Sequence, residues 1–136
     1  MLRSIVAIVA GFLFIGALSV GTDTVVMQAF PGEFNEAGRT SNLSILMLMA
    51  AYVAVYAIIG CYLTARLAPN RPMRHALILG ALGLVMNIAA TVSLWGTAPA
   101  WYFILNLLLV MPYAWLGGRI RERQLMQPGH STAAAV

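Results

Sequence analysis

The sequence predicts an all-α membrane protein, a bundle of four transmembrane helices with both termini in the cytoplasm. Three observations support this prediction. The chain is 61% hydrophobic and only 9% charged, it contains four apolar runs of helical length, and its arginines stand at the ends of those runs. Because soluble domains are about one quarter charged, we expect lipid to cover most of the outside of this protein.

The four apolar runs cover approximately residues 4–27, 43–65, 75–95 and 99–118. At a rise of 1.5 Å per residue, about 20 helical residues cross a hydrocarbon core of about 30 Å. None of the runs alternates between polar and apolar residues, as the strands of a membrane barrel do. Backbone groups in lipid must form their hydrogen bonds within the segment, so each run is predicted to be a helix.

The two ends of the chain need separate interpretation. Arg3, the apolar run after it and the small residues near Ser19 are also the features of a cleavable signal peptide. We expect an uncleaved first helix instead, because three further spans follow. Residues 1–123 are assigned to a single transmembrane domain, and residues 124–136, which include a proline and a glycine, are predicted to form a mobile tail.

The arginines predict the orientation of the helices. All eight basic residues are arginine, and four crossings place seven of them on the same side of the membrane. These seven are Arg3, Arg66, Arg71, Arg74, Arg119, Arg121 and Arg123. Short loops rich in arginine remain in the cytoplasm, so we expect a multi-pass membrane protein with both termini inside. Arginines at helix ends, rather than in a basic stripe, argue against nucleic-acid binding.

Polar side chains inside the spans form the first candidate site. Counted from the inner arginine at the end of each span, Tyr52, Asn87 and Asn106 lie about 20 Å from the inner boundary, and Asp23 lies about 30 Å from it. Ser19 lies one helical turn from Asp23. These five residues could line a polar pocket in the outer half. The interpretation that we favour is simpler: Asn87 and Asn106 form hydrogen bonds across a helix interface, which contribute about 0.6–2 kcal/mol each.

A second candidate site lies at the inner boundary. Arg66, Arg71, Arg74 and Arg119 could contact anionic lipid headgroups. The alternative is that they only set the orientation of the chain, which the bias of charge already explains.

Small residues predict close helix packing. Ala76, Gly80 and Gly83 precede Asn87 on one face of the third span, and such faces let helices approach closely. We favour packing within one chain over a homo-oligomer interface. Cys61 is the only cysteine, and we expect it to pack as a small apolar residue.

No motif predicts catalysis. The sequence has no glycine-rich phosphate loop, no HExxH and no GxSxG. Neither His75 nor His130 has a metal-ligating partner nearby in the sequence. We therefore expect no enzyme activity, no cofactor and no bound metal.

Several segments together resemble a group of small uncharacterised bacterial inner-membrane proteins with four transmembrane helices. These segments are GTD at residues 21–23, YLTARLAPNRPMRHALILG at residues 62–80, and AWLGG at residues 114–118. This chain has Met27 and Val53 where the group has a histidine and an arginine. The resemblance implies a fold and a location, but no activity. Small multidrug-resistance transporters are similar only in size and span number, because Asp23 lies about 10 Å too shallow for their mid-membrane acidic residue.

Three functions are compatible with these observations. The first, which we favour, is a structural or accessory role in a membrane complex, through a membrane-protein partner. The second is a small transporter or channel that uses the pocket of Asp23, Asn87 and Asn106. The third is lipid binding through the inner arginines. Similar Tyr-Leu-Thr-Ala-Arg and Trp-Leu-Gly-Gly-Arg ends of the second and fourth spans also leave open two tandem helical hairpins.

Overall fold

A computed structural model describes residues 2–126 and shows four long helices in this part of the chain. They are α1 (Leu2–Ala29), α2 (Leu43–Leu67), α3 (Pro72–Leu94) and α4 (Ala100–Met126). A short 3-10 helix, Pro31–Glu33, follows α1. All four long helices are long and apolar enough to cross a membrane. The predicted all-α bundle of four membrane helices is therefore confirmed, and the described residues contain no strand.

Local chemistry explains where α2 and α3 begin. The side-chain oxygen of Asn42 accepts a hydrogen bond from the backbone N–H of Ser44 at 2.9 Å, which caps the start of α2. Pro72 occupies the first turn of α3, where its missing N–H costs nothing. Arg71, just before it, has a left-handed backbone with φ of 50°. The turn between α2 and α3 is therefore short and sharply bent.

The fourth helix is longer than the predicted span. It continues beyond residue 118 to Met126, so the first three residues of the predicted tail are helical. Arg119 and Glu122 form a salt bridge of 3.5 Å along this extension, and the Tyr62 hydroxyl donates to the Gln124 side chain at 2.9 Å. A helical segment with polar side chains can extend beyond the hydrocarbon layer, because water replaces lipid there. The rest of the predicted tail, residues 127–136, lies outside the described residues.

The four helices alternate in direction and do not contribute equally to the packing. Helices α2 and α3 each pack against the three others, whereas α1 and α4 occupy opposite corners and do not pack against each other. One end of the bundle contains the start of α1, the α2–α3 turn and the end of α4. We call this half the arginine half. The other half, which contains residues 30–42 and the α3–α4 turn, is called the loop half.

Small residues close the arginine half. A Cβ atom placed on Gly11 would lie 2.8 Å from the backbone oxygen of Gly60, so α1 and α2 nearly touch through their backbones. The fully buried Thr64 donates its hydroxyl to the backbone oxygen of Ala7 at 3.1 Å. Cys61 packs in the buried core of this half, whose members are Cys61, Ala65, Ala76, Leu79 and Ala114. Helix approach of this kind depends on side chains no larger than a methyl group or hydroxyl.

Candidate functional site

A cavity of about 190 Å³ lies between the four helices, beside the closed core. Cys61, Leu79 and Gly80 line it at the end next to the arginine half. Most of the other residues that line it are apolar or are glycines, which have no side chain. Together with those three, the lining residues are Phe12, Ile15, Gly16, Val53, Ala57, Gly83, Met86, Asn87, Asn106, Val110 and Tyr113. The cavity therefore lies within the part of the bundle that is expected to be surrounded by lipid.

Asn87 and Asn106 both line this cavity. The side-chain N–H of Asn87 donates to the backbone oxygen of Gly83 at 3.1 Å. That of Asn106 donates to the backbone oxygen of Tyr102 at 2.8 Å. Each bond is made within one helix, which differs from the expected bond across a helix interface. The sequence places the two asparagines at the same depth, and in the structure both of them line the same cavity.

Asp23 and Tyr52 form a separate pair. The Tyr52 hydroxyl donates to the Asp23 carboxylate, which joins the end of α1 to the beginning of α2. Both side chains are half-buried, and neither lines the cavity with the two asparagines. Four of the five predicted pocket residues are therefore divided between two places. Ser19 is half-buried on α1 and does not line the cavity either.

A second hydrogen bond joins the same two helices. The hydroxyl groups of Thr22 and Tyr56 are 2.8 Å apart, and the rings of Tyr52 and Tyr56 are tilted against each other with centroids separated by 5.8 Å. The sequence interpretation missed Thr22 and Tyr56. Tyr56 could have been found from its position, because residues four apart on a helix share a face. It also missed Thr64, whose burial no sequence pattern indicates.

The predicted headgroup residues lie at the end of the arginine half. Arg66, Arg71 and Arg74 are exposed, and none of them forms a salt bridge within residues 2–126. Arg119 is half-buried and is paired with Glu122. The arrangement places guanidinium groups where a headgroup layer would meet the bundle. Contact with lipid headgroups remains a prediction.

The loop that follows α1 is fastened to α2 by side-chain hydrogen bonds. The Asn42 side chain donates to the Glu33 carboxylate at 2.7 Å. The Asn35 side-chain oxygen accepts from the backbone N–H groups of Ala37 and Arg39, both at 3.0 Å. Glu33 is thus used to hold the loop in place. This loop covers the loop half of the bundle next to the α3–α4 turn.

Comparison of the chain with protein-family models, with curated proteins and with solved structures finds no match. The resemblance to small bacterial four-helix membrane proteins therefore remains a prediction. The geometry of the helices must carry the functional argument on its own.

Proposed function

We propose that this chain is an accessory protein of a bacterial inner membrane, with both termini in the cytoplasm, which acts by binding another membrane protein and does not catalyse a reaction. The closed packing of the arginine half is the observation that carries the proposal. A transporter needs a route for its solute across the full thickness of the bundle. In this structure the cavity ends at Cys61, Leu79 and Gly80, where the helices meet.

The polar groups in the helices support the same proposal. Asp23 bonds to Tyr52, Thr22 bonds to Tyr56, and Thr64 bonds to the backbone of α1. These bonds hold α1 and α2 together. Intramembrane polar groups that serve transport are expected to face a solute or one another along a path, whereas these serve as fixed contacts between two helices.

Helix α1 provides the surface for a partner. It packs against α2 and α3 only, and nine of its large apolar side chains are exposed. Gly21 is also exposed, and a Cβ atom there would meet nothing within 4 Å. Small residues on an exposed face allow another transmembrane helix to approach closely. We therefore place the partner against the exposed face of α1 near Gly21.

Purification of the tagged chain from its own membranes in mild detergent tests this function. We expect a complex of defined mass with one other membrane protein in a fixed ratio. Gly21→Leu should release that protein, because the added side chain blocks close approach at an exposed position, where a Cβ atom would meet nothing within 4 Å. The matched control is Ala89→Leu, which enlarges an exposed residue on α3. A chain that purifies alone, or a partner retained by Gly21→Leu, would contradict the proposal.

Cysteine labelling tests the orientation independently. In a Cys61→Ala background, Ser41→Cys places a thiol in the loop after α1 and Asn70→Cys places one in the α2–α3 turn; both positions are exposed. A membrane-impermeant maleimide should label Ser41→Cys in intact cells. It should label Asn70→Cys only after the cells are broken. The reverse pattern would show that the arginines face outwards.

A further inference from the structure

The cavity between the helices has the size of a ligand site. Its volume is about 190 Å³, and an engineered apolar cavity of about 150 Å³ in another protein accepts benzene. Small side chains leave the space unfilled: Ala57 is on α2, Gly83 is on α3, and a Cβ atom on Gly16 would have no neighbour within 4 Å. The space can therefore hold one six-membered ring.

The bilayer gives access to this space. Phe12 and Met86 line the cavity and are 37% and 51% exposed, and Gly16, which also lines it, is exposed as well. They lie on α1 and α3, which touch lower down, where a Cβ atom on Gly11 would lie 2.9 Å from the side chain of Leu79. Because these exposed lining residues belong to α1 and α3, we place the opening of the cavity towards lipid between these two helices, on the side of the contact away from the arginine half. A ligand that arrives by this route must be lipophilic.

The two asparagines give the cavity its chemical preference. Each donates one N–H to a carbonyl of its own helix, and this bond also fixes which end of the carboxamide is the nitrogen. The carboxamide oxygen takes no part in the bond and remains an acceptor. In a space lined mostly by apolar side chains, such acceptors favour a ligand that donates a hydrogen bond. A hydroxyl on an aromatic ring meets both requirements.

We propose that this cavity binds a lipophilic ring that carries a hydroxyl group, either a free phenol or the quinol head of a membrane lipid. The ring occupies the space between Ala57 and Gly83, and its hydroxyl donates to Asn87 or Asn106. A prenyl tail, where the ligand has one, leaves through the opening beside Phe12 and Met86. Gly21, which marks the proposed partner surface on α1, does not line this cavity.

Fluorine NMR of the protein in lipid nanodiscs tests the site, with 4-fluorophenol as the probe and fluorobenzene as its counterpart without a hydroxyl. We expect saturable binding of 4-fluorophenol that empty nanodiscs do not show. Fluorobenzene should bind about 3- to 10-fold more weakly, the effect of one hydrogen bond. The double variant Asn87→Leu, Asn106→Leu should remove this difference. Binding equal to that of empty nanodiscs would overturn the proposal.

Filling the cavity gives a second test. Ala57→Leu adds side-chain atoms inside the cavity and should abolish saturable binding. Ala51→Leu makes the same change on the exposed side of α2 and should leave binding intact. If Ala57→Leu does not fold, Gly83→Leu fills the space from another helix. Undiminished binding to a folded, filled variant would show that the probe binds elsewhere.

Competition distinguishes the two sources of the ligand. A benzoquinol with a short prenyl tail should displace 4-fluorophenol at lower concentration than phenol does if the ligand is a membrane quinol. If phenol competes and the tailed quinol does not, the ligand is a free phenol. Displacement by neither compound would contradict a site for hydroxylated rings.

Discussion

The arginine half and the loop half of this bundle consist of the same four helices but differ in how closely those helices pack. In the arginine half, Gly11, Gly60 and Thr64 bring α1 and α2 into backbone contact. In the loop half, the two helices are joined through long side chains, among them the bond between Tyr52 and Asp23. The first half has no room between its helices, and the second begins with a cavity of about 190 Å³.

The difference shows how a helical protein can keep a cavity open in lipid. Lipid is as apolar as a leucine side chain, so burial alone gives helices little reason to associate. Close packing of small residues supplies that reason in the arginine half. Once this half is fixed, the loop half needs only a few hydrogen bonds to stay in register. The cavity then lies where small side chains, among them Ala57 and Gly83, leave space beside the tightly packed half.

The largest effect is expected at Gly117, where α4 meets α2 in the arginine half. A Cβ atom there would lie 2.7 Å from the backbone oxygen of Ile58 and 2.8 Å from the backbone nitrogen of Tyr62. Backbone atoms cannot turn away as a side chain can, so α4 must shift. We expect Gly117→Ala to lower the free energy of unfolding by about 3 kcal/mol. Reversible unfolding in mixed detergent and SDS micelles measures this value.

Gly117→Ala directly tests whether the arginine half is packed more tightly than the loop half. If Gly117→Ala has the same free energy of unfolding as the unchanged chain, the arginine half can accommodate an added methyl group at little cost. The packing could then no longer explain why the cavity stops there. Gly83→Ala is the matched control, because its added Cβ atom would lie at an ordinary 3.7 Å from Val110.

The next effect concerns the bond between Asp23 and Tyr52 in the loop half. Tyr52→Phe removes the hydroxyl but keeps the ring, and we expect a loss of about 1–2 kcal/mol. Because the bond holds the end of α1, hydrogen exchange in residues 20–29 should become faster while residues 5–12 keep their protection. Tyr56→Phe should have a smaller effect, about 0.6 kcal/mol, since its partner is a hydroxyl group. Uniformly faster exchange along α1 would show that the two halves are not independent.

A smaller effect is expected at Thr64. Thr64→Val keeps the shape of the side chain and removes its hydrogen bond to Ala7. The expected loss of stability is about 0.6 kcal/mol, the usual value for a hydrogen bond between membrane helices. Thr24→Val is the control, because the Thr24 hydroxyl is exposed and bonds only to its own helix. A loss at Thr64 well above the loss at Tyr52 would mean that hydrogen bonding, rather than close packing, holds the arginine half together.

The sequence was sufficient for the architecture because length and composition determine it in lipid. Four runs of about 20 apolar residues can satisfy their backbone groups only as helices. The end of α4 could not be predicted in this way. Hydropathy locates the edge of the hydrocarbon layer, but a helix with polar residues continues beyond that edge, as α4 does to Met126.

The candidate site could be predicted only in part. A count of the helical rise per residue predicts Asn87 and Asn106 at the same depth, and both residues line the same cavity. The same count separates Asp23 from Tyr52 by about 10 Å, yet their side chains bond. A count of rise omits the length of a tyrosine and the tilt of the helices. The rotation of each helix, which directs a side chain into the cavity or to a neighbour, depends on packing across the whole bundle.

The only effect expected to be favourable is at Gly16. This residue lines the cavity, and an added Cβ atom would meet nothing within 4 Å. Alanine in the middle of a helix costs less conformational entropy than glycine does, by about 0.5–1 kcal/mol. We therefore expect Gly16→Ala to raise the free energy of unfolding by up to that amount in the assay used for Gly117→Ala. The same substitution would then act in opposite directions in the two halves, because only the arginine half lacks room for a methyl group. A loss of stability at Gly16 would show instead that α1 and α3 close over the cavity in the membrane.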